Sequence, residues 1–197
     1  MFSEIFLIVI AYVIGSIPFG VLVAKSKNVD LKSSGSRNIG ATNVLRTVGK
    51  LPALITLLGD SLKGAGAVLL CRAFAGGELW EGIAGIAAIA GHIYPVFLSF
   101  KGGKGVATGF GVMAVYTPLS ACIALLIWAL TALFSRYSSL AAITAYAALP
   151  IISVLLKDSG TKTIIAAVTA LLIVSRHKDN IKRLLNAAES KIGEKRL

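Results

Sequence analysis

Long apolar segments separated by short polar breaks constrain this chain more than any other feature of its sequence. The first of them, residues 5–24, reads IFLIVIAYVIGSIPFGVLVA and carries no charged side chain. A helix needs about 20 apolar residues to cross the hydrocarbon core of a bilayer, so this segment is long enough. Further apolar segments follow at residues 51–75, 82–98, 106–117, 119–134, 140–156 and 163–175. The pattern predicts an all-α, polytopic membrane helical bundle of about seven transmembrane helices.

The composition agrees with a membrane protein and bears on the partners. Of the 197 residues, 56% are hydrophobic and only 15% are charged, whereas a soluble domain carries about 25% charged residues. The net charge of +11 would suggest nucleic acid in a soluble protein. Here the cations fall mostly in the breaks between apolar segments, where membrane topology explains them. We therefore expect a single transmembrane domain over residues 1–197 that contacts membrane lipid and no nucleic acid.

Charges beside the apolar segments predict the orientation of the bundle. Glu4 precedes the first segment, whereas Lys25 and Lys27 follow it, and the positive-inside rule then places the N-terminus outside. Residues 106–117 are too few for a full span, because a helix rises about 1.5 Å per residue against a core of about 30 Å. We expect a short or re-entrant helix there and a cytoplasmic C-terminus, with residues 179–197 as an amphipathic tail.

Four polar breaks fall on the predicted cytoplasmic side, at residues 33–50, 99–108, 136–139 and 175–183. They are rich in hydroxyls, amides, glycines and cations and almost free of carboxylates, which suits phosphate groups and an oxyanion and not a metal ion. Any one of them alone is better explained as a solvated loop. Together they favour a site formed by Ser36, Asn38, Gly40, Thr42, Asn43, Arg46, Lys101, Gly102, Gly103, Lys104, Thr108, Ser139, His177 and Asn180.

Ionisable residues also occur inside the apolar segments. Asp60 and Lys63 are three positions apart, so they can face each other across one helical turn and offset part of the cost of placing charge in a membrane. A structural ion pair and a functional role both remain open. His92 is a lone histidine, which is more often a hydrogen-bonded structural residue than a catalyst. Pro18 predicts a bend in the first span.

The polar breaks closely resemble the motifs of a known family. SGSRNIGATNVLR at 34–46, FKGGKGVAT at 100–108 and RHKDNIKRLL at 176–185 resemble the three motifs of the bacterial membrane-integral acyl-phosphate glycerol-3-phosphate acyltransferases. Two residues depart from the pattern: Arg37 stands where glycine is common, and Ala142 where serine is frequent. The second leaves open which serine of that break matters. Further similar segments, in the same order, are GSIPFG at 15–20, DSLKG at 60–64 and GHIYPVF at 91–97.

The resemblance implies an activity, a location and partners. The activity is transfer of a fatty acyl group from acyl phosphate to the sn-1 hydroxyl of glycerol 3-phosphate. This gives lysophosphatidic acid and inorganic phosphate, the first step of phospholipid synthesis, and needs no cofactor. The location is the bacterial inner membrane, with the active site facing the cytoplasm. Two partners fit the cations of the tail, namely anionic lipid and a soluble enzyme that supplies acyl phosphate.

The roles of the candidate residues are hypotheses at this point. Lys104 and the Gly102–Gly103 backbone would hold one phosphate, and which loop binds which substrate stays open. His177 either acts as the base or only binds while the phosphate of the substrate takes the proton, and we favour the second. A rival is a transporter of a phosphorylated metabolite, but the chain shows no internal repeat of the kind common in transporters. The catalytic candidates are Ser36, Arg46, Lys104 and His177, and the other phosphate would be held by Ser36, Asn38, Gly40, Thr42, Asn43 and Arg46.

Overall fold

The computed structural model describes residues 2–194 and confirms the all-α prediction, since no strand occurs among them. A short 3₁₀ helix, Val96–Leu98, lies between the fifth and sixth α-helices. The α-helices of the described range are α1 Phe2–Gly15, α2 Phe19–Lys25, α3 Ala41–Thr47, α4 Lys50–Phe74, α5 Glu78–Ile93, α6 Val106–Tyr116, α7 Pro118–Ser135, α8 Ser138–Leu155, α9 Gly160–Ser175 and α10 Lys178–Leu185.

The seven apolar segments are found in the expected order. Two of them, α6 and α9, are apolar helices shorter than a typical span. With 11 residues, α6 is about 16 Å long, about half the thickness of the hydrocarbon core. The sidedness of the bundle stays a prediction. The segments long and apolar enough to cross a membrane are Phe2–Lys25, Lys50–Phe74, Glu78–Leu98, Pro118–Ser135 and Ser138–Leu155.

The first span is broken rather than bent. Helix α1 ends at Gly15 and α2 begins at Phe19, because Pro18 has no N–H to continue the helical ladder. The ammonium of Lys63 on α4 donates to the carbonyl of Ile17 at 2.7 Å, which satisfies a backbone group that the break exposes within the bilayer. The break therefore depends on a charged side chain from another helix.

Small residues let the helices pack with their backbones in contact. A side chain at Gly64 of α4 would overlap the carbonyl of Thr108, and one at Gly111 of α6 would overlap the carbonyl of Ser61. Helices in a membrane associate through close packing of this kind, because an apolar side chain is equally well accommodated by lipid and by another helix. The short helix α6 is thereby held along the middle of α4.

The core of the bundle lies among α5, α6, α8 and α9. Tyr146 of α8 is 1% exposed, and its hydroxyl donates to the carbonyl of Val106 at the start of α6 at 2.7 Å. At the opposite end, the carboxylate of Asp158 accepts hydrogen bonds from Ser120 at 2.8 Å and Ser153 at 2.9 Å. These bonds tie α7 and α8 together, so the two ends of the bundle are fixed by different polar networks.

Candidate active site

The four polar breaks meet at one end of the bundle around a single cavity of about 400 Å³. Breaks that are far apart in sequence converge there because neighbouring helices run in opposite directions. Ten of the fourteen predicted site residues line this cavity: Ser36, Asn38, Gly40, Thr42, Asn43, Arg46, Lys104, Ser139, His177 and Asn180.

The cavity has a second, apolar half between α4, α6 and α7. Its walls include Phe110 of α6 and Trp128 of α7. Leu58 of α4 and Leu125 of α7 also line it, and they are 51% and 50% exposed on the outer surface of the bundle. The apolar half therefore opens sideways toward lipid. A ligand that fits the whole cavity has a polar head and an apolar chain.

A single asparagine organises the first polar loop. Asn43 is 2% exposed, and its Oδ1 accepts from the backbone N–H of Ser36 at 2.8 Å. Its Nδ2 donates to the carbonyls of Ser34 at 3.1 Å and Asn38 at 2.8 Å. The side chain of Asn43 thus holds the loop over the start of α3. Although Asn43 lines the cavity, both of its polar atoms are already hydrogen-bonded to this loop.

Helix α3 presents two side chains to the cavity. Thr42 and Arg46 are four positions apart and so lie on the same face. The hydroxyl of Thr42 is 3.1 Å from that of Ser138. The guanidinium of Arg46 donates to the carbonyls of Ser190 at 3.1 Å and Lys191 at 3.2 Å. The C-terminal segment therefore holds Arg46 at the polar end of the cavity.

Lys104 and His177 influence each other electrostatically. Burial lowers the pKa of Lys104 to about 8. Burial and the nearby charge of Lys104 lower the pKa of His177 to about 4. The Nδ1 of His177 is 2.8 Å from the carbonyl of Ile173, and a carbonyl only accepts, so Nδ1 carries the proton. At neutral pH His177 is therefore uncharged, with Nε2 as an acceptor.

Comparison with known proteins decides the family. A family model described as glycerol-3-phosphate acyltransferase matches residues 5–187. A glycerol-3-phosphate acyltransferase of Geotalea daltonii is 48% identical over 190 residues, which cover 96% of this chain and 98% of that protein. The Geobacter sulfurreducens protein is 41% identical over 97% of this chain and 98% of its own. The chain belongs to the glycerol-3-phosphate acyltransferase family.

Solved structures agree with that assignment. The crystal structure of PlsY (YgiH), an integral membrane glycerol 3-phosphate acyltransferase in its glycerol 3-phosphate form, matches with a TM-score of 0.93 and 41% identity, covering 97% of this chain and 96% of that one. The lysophosphatidic acid form of PlsY matches with a TM-score of 0.91 and 40% identity over the same shares. The acyltransferase described here is therefore a multi-pass membrane protein with that fold.

Four predicted site residues do not line the cavity of the acyltransferase: Lys101, Gly102, Gly103 and Thr108. The backbone N–H of Gly102 donates to Ile93 at 3.1 Å and that of Gly103 to His92 at 3.0 Å. These donors are therefore not available for the direct phosphate contact expected of them. Lys101 is exposed, and Thr108 is fully buried where α6 packs on α4. Lys104 is the charged residue of this break that lines the cavity, next to Gly105, Val106 and Ala107.

The C-terminal tail differs from its prediction. Helix α10 ends at Leu185, and the following residues fold back over the cavity, which Glu189 and Ser190 help to line. The sequence predicted an amphipathic tail over residues 179–197, with helical spacing as far as Ala188, and the helix is shorter than that spacing indicated. Residues 195–197 lie outside the described residues.

Glu189 is the site residue that sequence reasoning missed. Its carboxylate accepts from Ser139 at 2.7 Å, Asn180 at 2.6 Å and Arg183 at 2.6 Å. Burial opposes its ionisation, but these hydrogen bonds outweigh burial and lower the pKa of Glu189. With Asp60 also lining the cavity, the site is less free of carboxylates than expected. The available signal was that Glu189 is the one acid between Asp179 and Glu194 in a basic tail.

Proposed function

We propose that this acyltransferase moves a fatty acyl group from acyl phosphate to the sn-1 hydroxyl of glycerol 3-phosphate. The products are lysophosphatidic acid and inorganic phosphate, in the first step of phospholipid synthesis. The observation that carries the proposal is the two-part cavity, whose donor-rich end suits phosphate and whose apolar half opens to lipid. The glycerol 3-phosphate and lysophosphatidic acid forms of the related PlsY support the acceptor and the product.

The charged residues of the cavity suggest how the substrates are held. Arg46 and Lys104 approach the cavity from different loops, so each is placed to neutralise one phosphate. Ser36, Ser139 and Asn180 line the same end and supply neutral donors. The fatty chain of the donor would lie along Phe110 and Trp128 with its carbonyl at the boundary of the two halves.

The reaction itself demands little chemistry from the protein. Acyl phosphate is a mixed anhydride with a good leaving group, so orientation of the hydroxyl and stabilisation of the oxyanion are the main tasks. The hydroxyl oxygen bonds to the acyl carbon, the bond from that carbon to the phosphate oxygen breaks, and the departing phosphate takes the proton. His177, with a pKa of about 4, is a weak base at neutral pH. Its neutral Nε2 instead accepts a hydrogen bond from the hydroxyl and orients it.

The charges of the bundle support an orientation in the membrane. Exposed cations such as Lys178, Lys182 and Arg37 lie at the same end as the cavity, which supports an active site on the cytoplasmic face of the bacterial inner membrane. These cations also fit anionic lipid or a soluble enzyme that supplies acyl phosphate. The opposite end is bound together by Asp158 with Ser120 and Ser153, which argues against a transport path through the bundle.

An assay on the purified protein tests this function. Detergent-solubilised enzyme with palmitoyl phosphate and labelled glycerol 3-phosphate should release lysophosphatidic acid and inorganic phosphate in equal amounts. The same protein with palmitoyl-coenzyme A in place of palmitoyl phosphate should give no product. The Arg46→Ala variant controls for a contaminating activity. Product formed from the thioester alone would contradict the assignment of the donor, and transport without product in vesicles would contradict the enzyme itself.

A further inference from the structure

A cluster of ionisable side chains is buried in the bundle at the cavity, which Asp60 and His92 help to line. The ammonium of Lys63 lies 2.8 Å from Oδ1 of Asp60, one turn earlier on α4. The Nδ1 of His92 on α5 lies 3.5 Å from the same oxygen. Asp60 is 2% exposed, and Lys63 and His92 are each 5% exposed. Ionisable residues at such depth are costly in a membrane and commonly functional.

The cluster joins segments that are separate in sequence. Lys63 donates to the carbonyl of Ile17 in the break between α1 and α2, and its ammonium lies 5.9 Å from the centre of the Phe19 ring. Asp60 then connects this contact to His92 at the end of α5. A buried ion pair is weak evidence for stability, because apolar packing of similar volume is often as stable. Its location at a junction next to the cavity indicates a different role.

His92 connects the cluster to the loop that carries Lys104. The carbonyl of His92 accepts from the N–H of Gly103 at 3.0 Å, and the carbonyl of Ile93 accepts from Gly102 at 3.1 Å. A Cβ at Gly103 would overlap Nε2 of His92, so the imidazole edge lies directly against the backbone of this loop. Lys104 is the next residue and lines the cavity.

We propose that Asp60, Lys63 and His92 form a positioning cluster, in which Asp60 fixes the His92 ring against Gly103 and thereby holds Lys104 at the polar end of the cavity. The proposal rests on the proposed function, in which Lys104 neutralises a substrate phosphate. Lys63 pairs with Asp60 at 2.8 Å and ties it to the broken first span. All three are positioning residues, since they act through Lys104 rather than on the reacting atoms.

A neutral double variant separates positioning from stability. Asp60→Asn/Lys63→Met removes both charges and leaves neither unpaired, so the fold should persist with an unchanged elution profile. The melting temperature should be somewhat lower, because the carbonyl of Ile17 loses its donor. The double variant also removes the charge that faces Nδ1 of His92. We expect kcat/KM to fall about 100-fold, the scale of a small displacement of a substrate-holding group. A value within about threefold of the wild type in a folded double variant would overturn the proposal.

The ion pair at the other end of the same two helices provides the matched control. Arg72 of α4 and Glu81 of α5 are 2.7 Å apart and lie far from the cavity. The double variant Arg72→Met/Glu81→Gln also removes one opposite-charge pair that involves α4, in this case a pair that links α4 to α5. It should keep the wild-type kcat/KM. An equal loss in both double variants would show that any damage to this helix pair reduces activity.

A double-mutant cycle tests the contact between His92 and the loop. His92→Phe keeps the ring volume but removes both nitrogens, and Gly103→Ala pushes the loop away from the ring. If His92 and Gly103 act through the same contact, the double variant should lose no more activity than the worse single variant. Losses that multiply would mean that His92 and Gly103 affect the reaction independently, and the proposal would fall. This cycle also decides the matter if the neutral double variant does not fold.

The environment of Lys104 gives a readout that a purely structural role would not change. Burial holds the pKa of Lys104 near 8, below its ordinary value of 10.5, so activity should fall as the pH rises through 8. A displaced Lys104 is better solvated, and the alkaline limb of kcat/KM should move up by about one pH unit or more. Removing Asp60 and Lys63 together changes no net charge. The other groups that face Lys104 are Arg46, His177, Asp179, Arg183 and Glu189.

Chemical labelling distinguishes failure of this proposal from failure of the proposed function. An amine-reactive reagent followed by mass spectrometry measures the labelling rate of Lys104 against pH without any substrate. The reagent attacks only the neutral amine, so a displaced and better solvated Lys104 should reach half of its maximum labelling rate at a pH about one unit higher in Asp60→Asn/Lys63→Met than in the wild type or the Arg72→Met/Glu81→Gln control. An unchanged labelling profile contradicts the positioning cluster whatever the donor proves to be. A shifted profile in a protein that shows no acyl transfer contradicts only the proposed function.

Discussion

The two basic, glycine-containing loops at the cavity look alike in sequence but are built in opposite ways. In the first, residues 33–46, the side chain of Asn43 holds the backbone, and the side chains around it line the cavity. In the second, residues 99–105, backbone N–H groups are bonded to the end of α5, and only Lys104 and Gly105 reach the cavity. A glycine-rich basic loop can therefore donate to a ligand or be fixed by the protein itself, and composition alone does not distinguish the two.

The largest expected change in kcat/KM comes from removing a cation that lines the cavity, in contrast to a cation of the same loops that lies outside it. Arg46→Ala and Lys104→Ala should each reduce kcat/KM on the order of 10³-fold, because a charged donor to a phosphate is lost in a site shielded from water. Lys101→Ala in the second loop should keep activity near the wild type, since Lys101 is exposed outside the cavity. Initial rates with both substrates varied give the measurement. A loss at Lys101 comparable to that at Lys104 would remove the distinction between the loops.

Much of this arrangement follows from the sequence, and the rest needs the folded chain. Apolar segment lengths predict the helices because the bilayer fixes how many residues a span requires. Ten of the residues predicted from the polar breaks line one cavity, because alternating spans bring them to one end. The partners of Gly102 and Gly103 were not predictable, since a backbone N–H has the same chemistry in every residue. Glu189 reaches the cavity because the chain turns back after Leu185, and no residue pattern in the sequence predicts that turn.

The second effect tests the side-chain support of the first loop. Asn43→Ala removes three hydrogen bonds to backbone groups, each with a net contribution of about 1 kcal/mol. We expect the free energy of unfolding to fall by about 3 kcal/mol, measured by thermal or denaturant unfolding in detergent. Asn43→Asp keeps the acceptor for Ser36 but turns a second acceptor toward the carbonyls of Ser34 and Asn38, so it should lose at least as much stability. Equal stability of Asn43→Ala and the wild type would mean that the loop does not depend on this side chain.

A glycine in each loop sharpens the comparison further. A methyl group at Gly102 would overlap the carbonyl of His92, whereas one at Gly40 would meet only Oδ1 of Asn38, at 3.4 Å. Gly102→Ala should therefore reduce kcat/KM about 100-fold by moving the loop that carries Lys104. Gly40→Ala should stay within a few-fold of the wild type, because its φ of −80° suits alanine. The reverse order would indicate that the first loop, and not the second, is fixed by its backbone.

The smallest expected effect concerns His177, which lies beside Lys104 of the second loop. Its folded pKa of about 4 is below the ordinary 6.5, so between these values the unfolded chain binds more protons and stability falls as the pH is lowered. From pH 7 to pH 5 the loss should be about 2 kcal/mol. The lowered pKa of Glu189 adds little in this range, because its ordinary value of 4.5 lies below it.

The contribution of His177 is measured by comparing the free energies of unfolding of the wild type and His177→Gln at pH 7 and pH 5. The variant should lose little stability between these two pH values. A Lys104→Met variant should lose less than the wild type, because the charge of Lys104 contributes to the low pKa of His177. Equal losses in the wild type and His177→Gln would show that folding does not lower the pKa of His177.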